Sequence, residues 1–322
     1  MRRRALLSAI ATWPAVWPAT SPALAQGEVN RIIVGFPPGA SSDGLARLLA
    51  DAAARGPLGT AIVENRPGAV GNLAAGVVGR ARPDGRTVLV TIDPTFTINP
   101  HVYAAPGFDP AGFEHLALLG HFPLALMVHP ETGITDLASL EAAARARGLF
   151  YSSAGAGSPG HLGMEALRLR MRLPAGALEH APTRGNAQAV MELLAGRAQI
   201  GMLAIGGGVQ VVQEGRVRAI ATSGEGRDPA LPGVPTLAEA GLPGLVLRFG
   251  SLLSAPRGMA DPVRAAWLAC AREVFASPQG RARVEGFGMV AELREGEAAE
   301  AWVREGHARW GEVARATALR VE

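Results

Sequence analysis

The stretch RIIVGFPPGASSDGLARLLADAAARGPLGTAIVENRPGAVGNLAAGVVGRARPDGRTVLVTI, residues 31–92, decides the fold class. Three short apolar runs, at 31–36, 60–64 and 87–92, read as strands, and the segments between them, 43–55 and 70–80, read as amphipathic helices. Strand, helix, strand, helix, strand is the pattern of a parallel sheet, because parallel neighbours need a crossover long enough to be a helix. The first unit is therefore α/β.

Outward from that stretch, a Pro- and Gly-rich segment at 99–112 leads into a long apolar run at 116–128, after which a second alternating set begins. Strands are expected at 149–153, 178–181, 199–203 and 217–222, with helices at 160–171, 186–195 and 206–214. A Pro/Gly loop at 227–244 precedes a strand at 245–254, and helices at 261–276 and 295–317 close the chain. These late helices are the material left to cover the first unit. Two α/β domains joined by more than one crossing segment describe a cleft protein, and open α/β sheets take ligands at the carboxyl ends of their strands. The expected division is 26–127 with 248–322 as domain I and 128–247 as domain II.

The composition fits this reading. Of 322 residues, 48% are hydrophobic and 18% charged, a globular balance that excludes disorder and collagen. The 41 glycines and 24 prolines fall between periodic segments and predict a loop-rich fold. The net charge of +3 comes from Arg2, Arg3 and Arg4 alone; beyond them the arginines balance the 28 acids. No lysine is present, so the high isoelectric point of 9.9 reflects guanidinium chemistry and not a basic stripe, and nucleic acid is not an expected partner.

Residues 1–25 read as a cleavable export leader, with a basic start, an apolar stretch interrupted by Pro14 and Pro18, and Ala23-Leu24-Ala25 as a cleavage site before Gln26. A membrane anchor needs about 18 or more uninterrupted apolar residues, which this stretch lacks. The arginine run leaves general secretion and the twin-arginine route both open. With Cys270 the one cysteine, no internal disulfide is possible, and the seven histidines show no metal-binding spacing. No metal and no cofactor are expected.

Two loops carry the candidate chemistry. In Phe36-Pro37-Pro38-Gly39-Ala40-Ser41-Ser42-Asp43 a strand passes into a helix through small residues, and a helix start exposes unpaired N–H groups that can hold an anion. The loop Tyr151-Ser152-Ser153-Ala154-Gly155-Ala156-Gly157-Ser158-Pro159-Gly160-His161 repeats the design in the second unit. One such nest per domain predicts a two-sided anion clamp; an ordinary capped turn is the alternative for each.

The second loop also admits two enzyme readings. Gly155, Gly157 and Gly160 match G-x-G-x-x-G, with Glu179 about 20 residues on, although Pro159 removes an N–H from the phosphate-facing turn. Ser158 approaches a nucleophile elbow, with His161 close by in sequence. A periplasmic hydrolase using Ser158 and His161 is thus the alternative from another functional class.

Several ordered motifs, taken together, resemble a known family over essentially the whole chain after the leader. Val34 to Asp43, Glu64-Asn65-Arg66-Pro67-Gly68-Ala69-Val70-Gly71-Asn72, Pro83-Asp84-Gly85-Arg86-Thr87, Ile98-Asn99-Pro100-His101, Ser158-Pro159-Gly160-His161 and Pro232 to Gly241 are similar to motifs of the Bug-type, TctC-like substrate-binding proteins of tripartite tricarboxylate transporters. The resemblance implies a two-domain periplasmic binding protein, type II-like, that closes on a small carboxylate and delivers it to a membrane permease. It implies a monomer that binds and does not catalyse. A loaded receptor that signals to a sensor kinase is an equally open role.

In that family, the resemblance implies, the ligand carboxylate is held by backbone N–H groups and water at loops that map here to Pro38, Gly39, Ala40, Ser41 and Ser42, and to Ser153, Ala154, Gly155, Ala156, Gly157 and Ser158. Three departures from the family pattern concern the ligand. Asp93 follows the third strand where small polar residues are usual, Arg248 stands where an aromatic is frequent, and Thr183 replaces a tyrosine. Asp93 facing an ammonium or hydroxyl, and Arg248 facing a distal carboxylate, would favour an amino acid; the alternative has Asp93 capping a turn and Arg248 in solvent.

Overall fold

The structure is a computed structural model and describes residues 29–321; the expected leader and its cleavage point lie outside the described residues. β1 (Asn30–Val34), α1 (Ser41–Arg55), β2 (Ala61–Asn65), α2 (Asn72–Val78) and β3 (Thr87–Ile92) form the predicted parallel unit, with β1 between β2 and β3. Two one-turn helices follow β3 where the pattern gave only loop, α3 (Pro94–Thr97) and α4 (Asn99–Val102). Each carries a proline in its first two positions, where the missing N–H costs nothing.

The apolar run becomes β4 (Phe113–Val128), one strand of 16 residues. Then come α5 (Leu137–Arg147), β5 (Leu149–Ser153), α6 (Pro159–Arg170), β6 (Leu178–Pro182), α7 (Asn186–Leu194), β7 (Ile200–Ala204), α8 (Val209–Gln213) and β8 (Arg218–Thr222). The chain ends with β9 (Arg248–Pro256), α9 (Asp261–Ala276), α10 (Pro278–Gly286), β10 (Val290–Glu295) and α11 (Glu297–Thr317).

Four expectations need correction. The helix at 206–214 shortens to a 3-10 turn, Ile205–Gly207, followed by α8, because three successive glycines weaken its start. The last long strand begins at Arg248 and not at 245, since Ser223 Oγ donates to Leu247 O at 2.6 Å and so ties the incoming chain to the end of β8. α5 was not read from the sequence, although an Asp136–Ser139 capping box starts it. α10 and β10 were not read either: α10 buries only Gly280 and Val284, and β10 shows no alternation.

The sheet runs β2-β1-β3-β9-β4-β7-β5-β6, with β10 and β8 also paired to β4. The first part of β4 pairs antiparallel with β9 and β10, and its last part with β7 and β8. β4 therefore belongs to both halves, and the halves meet where Phe122 and Pro123 pair with Phe249 and Arg248. On one face of the first half α1 packs against α9 and α10; on the other lie α2, α3 and α11. The late helices thus supply the missing cover. Trp267 on α9 is fully buried and its Nε1 donates to Gly85 O at 2.8 Å, while Trp310 on α11 stacks on Phe249 at 5.0 Å. Each such ring contributes roughly 1.5–3 kcal/mol by burial. α11 also touches α6, so one helix spans both halves.

Candidate functional site

The loop after β1 is held rigid from below. Gly39 takes φ +86°, which its lack of a Cβ permits, and its N–H donates to Asp43 Oδ2 at 3.0 Å. Asp43 also accepts from Arg47 and, through Oδ1, from Asn65 Nδ2 at 3.0 Å; the same amide donates to Phe36 O. Burial alone would raise the Asp43 pKa, but the hydrogen bonds from Arg47, Gly39 and Asn65 outweigh it and hold the carboxyl below its usual range. Asp43 and Asn65 thus fix the loop while no side chain caps α1, whose N-cap position is Ala40. The N–H groups of Ser41 and Ser42 have no intrahelical acceptor by helix geometry.

Beside this loop the chain is strained. Ala69 and Val70 adopt φ of +45° and +50°, a region that a β-branched residue rarely enters. The conformation is clamped by Thr95 Oγ1, which donates to Val70 O at 3.0 Å, and by Asn99 Nδ2, which lies 3.1 Å from Val70 O and 2.6 Å from Asn72 Oδ1. Three acceptors around Nδ2 fix the orientation of the amide and leave Asn99 Oδ1, fully buried, without a partner.

In the second half, Ser158 caps α6 by accepting from His161 N–H and donates to Ser153 Oγ at 3.2 Å. The His161 ring does not face the Ser158 hydroxyl; its Nδ1 accepts from Gly157 N–H at 3.1 Å and its face stacks on His180 at 3.8 Å. The Ser158/His161 pair that the alternative hydrolase reading needs is not formed, and Ser158 serves as a helix-entry cap. The histidine that does meet a serine is His180, 2.7 Å from Ser153 Oγ. Burial, and then the neighbouring His161, push His180 down to about 3, while burial pushes His161 down to about 4, so both rings are neutral and weakly basic. Ser153 is fully buried and also bonds Gly155, an arrangement that shapes a loop and does not expose a nucleophile. Gly160 packs where a Cβ would strike Met202 O, which gives the G-x-G-x-x-G match a packing role.

Thr183 serves the same loop: its hydroxyl lies 2.9 Å from both Ser153 O and Gly185 O. Next to it α7 begins at Gly185 without a side-chain cap. Asn186 binds both polar groups of Ala204, so the start of α7 and the end of β7 form one surface with the loop at Ser153, Ala154, Gly155, Ala156, Gly157 and Ser158.

The two halves touch on both sides of the space between these loops. On one side Gly157 packs against Val102, Tyr103 and Asn99, and Tyr103 Oη donates to Ala156 O at 3.4 Å. On the other, Gly206 lies against Phe287 and Gly288, and the Phe287 ring lies on Gly44 in the first turn of α1. Phe287 thus touches both the first turn of α1 and the Gly206 turn. Pro38, Gly39, Ala40, Ser41 and Ser42 lie at the start of α1, and Ser153, Ala154, Gly155, Ala156, Gly157 and Ser158 lie between β5 and α6. Tyr103, Asn99, Gly206 and Phe287 were not assigned a role from sequence; the Gly206-Gly207-Gly208 run was the signal.

Asp93 and Arg248 fall elsewhere, at the crossing of β4 and β9. Trp302 Nε1 on α11 donates to Asp93 Oδ2 at 2.6 Å, and Asp93 is buried. Neither a turn cap nor an ammonium partner, it is a carboxyl pushed up to about 7 by burial, against the opposing pull of Trp302. Arg248 pairs with Glu225 at 3.1 Å and lies 5.5 Å above the Trp302 ring, which Arg294 and His121 also flank. Among the described residues both are instead placed in a cluster built on Trp302, a partner 209 positions from Asp93 that no local pattern announces.

Among the described residues no group of acids, histidines or cysteine is placed to hold a metal, and no helix is long and apolar enough to cross a membrane. Residues 45–319 match the model of the tripartite tricarboxylate transporter family receptor. The chain is 27% identical to Protein BugT of Bordetella pertussis, over 91% of this chain and 90% of BugT. An R. palustris protein solved with adipate superposes with a TM-score of 0.82 at 27% identity, covering 90% of this chain and 97% of the other. MatC from Rhodopseudomonas palustris, solved with bound malate, gives 0.78 at 27% identity, over 88% and 98%.

Proposed function

The chain belongs to the tripartite tricarboxylate transporter family receptors, and from that premise we propose that it captures a small dicarboxylate between its two halves, in the periplasm, and hands it unchanged to a membrane permease. The observation that supports the ligand class is that α1, in the first half, and α7, in the second, both begin without a side-chain cap. Bare helix starts present N–H groups and partial positive charge to an anion. Carboxylates in the adipate and malate complexes of the similar proteins support the same class.

In this reading the N–H groups of Ser41 and Ser42 take one end of the ligand, while Pro38, Gly39 and Ala40 shape their loop, the last two with their N–H groups bonded to Asp43 Oδ2 and Pro37 O, and Ser153, Ala154, Gly155, Ala156, Gly157 and Ser158, steadied by Thr183, take the other. Hydrogen bonds to a charged acceptor contribute about 1.5–3 kcal/mol each, so four or five, less ordering costs, reach about −8 kcal/mol, a micromolar affinity. Residues 26–127 with 248–322, and residues 128–247, move as the two bodies. The leader at 1–25 supports the periplasmic address.

The test is a thermal-shift and calorimetric screen of residues 26–322 against adipate, malate, amino acids and the diamides of the same diacids. A carboxylate at about 100 times its Kd is expected to add about 2.7 kcal/mol of stability. Binding of the uncharged diamides with no response to any carboxylate would overturn the proposal.

A further inference from the structure

Three rings stack against the loop between β5 and α6. Tyr151 lies on His180 at 4.9 Å, and His180 lies on His161 at 3.8 Å. The protons around Ser153 fix which nitrogen of each histidine carries hydrogen. Ser153 Oγ lies 2.7 Å from His180 Nε2, 3.2 Å from Ser158 Oγ, 3.3 Å from Gly155 N and 3.0 Å from Gly155 O. A hydroxyl has one proton to give and two lone pairs to receive others. The Ser158 hydroxyl and the Gly155 N–H both donate to Ser153, so both lone pairs are taken. A hydrogen on His180 Nε2 would have no lone pair left to meet. His180 Nε2 is therefore the bare, accepting nitrogen, the Ser153 hydroxyl donates to it, and the ring carries its hydrogen on Nδ1. His161 is the opposite case, since its Nδ1 accepts from Gly157 N–H and its hydrogen falls on Nε2. The two stacked rings hold opposite tautomers, and burial keeps both neutral.

This arrangement uses up most donors of the loop. Gly155 N–H goes to Ser153 Oγ, Gly157 N–H to His161 Nδ1 and Ser158 N–H to Gly155 O at 3.1 Å, while Pro159 has none to give. Ala154 and Ala156 remain. Neither N–H has an acceptor among the described residues, and both residues are only half-buried, whereas Ser153, Gly157 and Ser158 are buried. Two free amides match in number the two oxygens of one carboxylate.

We propose that His180 and His161 are positioning residues for the second wall of the cleft: as neutral acceptors they draw the Ser153 hydroxyl and the Gly157 N–H inward and leave the N–H groups of Ala154 and Ala156 to take one carboxylate of the ligand. The ligand part of this assignment rests on the carboxylate reading given above. It narrows the donors of the loop to two and makes the histidines act through the main chain, with no contact to the ligand themselves.

Two measurements test it. In residues 26–322 labelled with ¹⁵N-histidine and free of ligand, NMR should show His180 protonated on Nδ1 and bare on Nε2, and His161 the reverse. Calorimetry with adipate and with malate then compares two variants. His180→Phe keeps a flat ring against His161 but removes the acceptor, and should weaken binding about tenfold or more; His180→Gln, whose carboxamide oxygen accepts, should recover most of that loss. The melting temperature of each variant separates lost folding from lost positioning. A hydrogen found on His180 Nε2, a His180→Phe protein that binds as tightly as the unaltered one, or equal losses in the Phe and Gln variants would each overturn the proposal. If neither diacid binds the unaltered protein, the role given to Ala154 and Ala156 falls with the carboxylate reading, while the tautomers, read without ligand, still decide how the loop is positioned.

Discussion

Replacing Gly206 by alanine tests whether the contact beside α1 sets how far the protein closes. A Cβ at this position would lie 2.9 Å from Gly288 Cα and 3.0 Å from Phe287 O. Carbon contacts settle near 3.5–4.0 Å, so the two halves must separate by roughly half an ångström or more along this edge. Both neighbours are backbone atoms and cannot turn away as a side chain would. Overpacking of this kind costs about 1–3 kcal/mol. In the proposed movement of the two bodies Gly206 and Gly288 part on opening, so the cost would fall on the closed form. Affinity for the cleft ligand should therefore fall about 5- to 150-fold with no loss of unliganded stability. Isothermal titration calorimetry of the carboxylate selected by the screen measures the first, and thermal unfolding without ligand the second. Gly226→Ala, placed where nothing lies within 4 Å, is the matched control. An affinity within about twofold of the unaltered protein would refute the reasoning, as the closed form would then not need this approach.

Asn99→Ala removes the amide that clamps Ala69 and Val70 and leaves their carbonyls short of a donor; a loss of about 1–3 kcal/mol is expected in urea unfolding, with weaker ligand binding besides. Tyr103→Phe deletes only a long 3.4 Å bond across the cleft, so calorimetry should show an affinity change of no more than about fivefold. Asp93, raised to about 7 in the fold, binds its proton more tightly folded than unfolded, so its contribution is largest below about pH 4 and is lost as pH rises through 7. Asp93→Asn should then raise stability at pH 8 by an amount on the order of 2–4 kcal/mol, seen as a higher melting temperature, and leave it nearly unchanged at pH 4. His161 and His180 act in the other direction: depressed in the fold, they favour the native state fully above about pH 6.5 and cost stability as pH falls toward 4, which a pH series of melting curves on the Asp93→Asn protein isolates.

Local chemistry made the parallel unit legible. β1, β2 and β3 are short β-branched runs separated by helices of ordinary length, and the small-residue loops at Gly39 and Gly157 announce themselves by composition. β4 was read only as an apolar run because both its faces are buried, which erases the alternation that marks a half-exposed strand. β10 was missed for the opposite reason, since partial exposure of five of its six residues leaves no pattern at all. At the site, the backbone donors could be read and the side-chain partners could not. Asp93 and Arg248 are single charged residues, and only the tertiary position of Trp302 decides that they join one cluster. The clamp on Val70 likewise depends on Asn99, 29 residues away. Contacts between halves, such as Gly206 with Gly288, leave no trace in either segment beyond the glycines themselves.

The shared strand β4 has a mechanical consequence. Its pairing with β9 shifts register between Leu118 and His121, and its pairing with β8 between Leu126 and Met127. Between those two breaks the ribbon is a torsion bar of a few residues, gripped at each end by a separate sheet. If the two halves move as proposed, twist falls on this span, where β4 hands its pairing from β9 to β7 and β8 within a few residues.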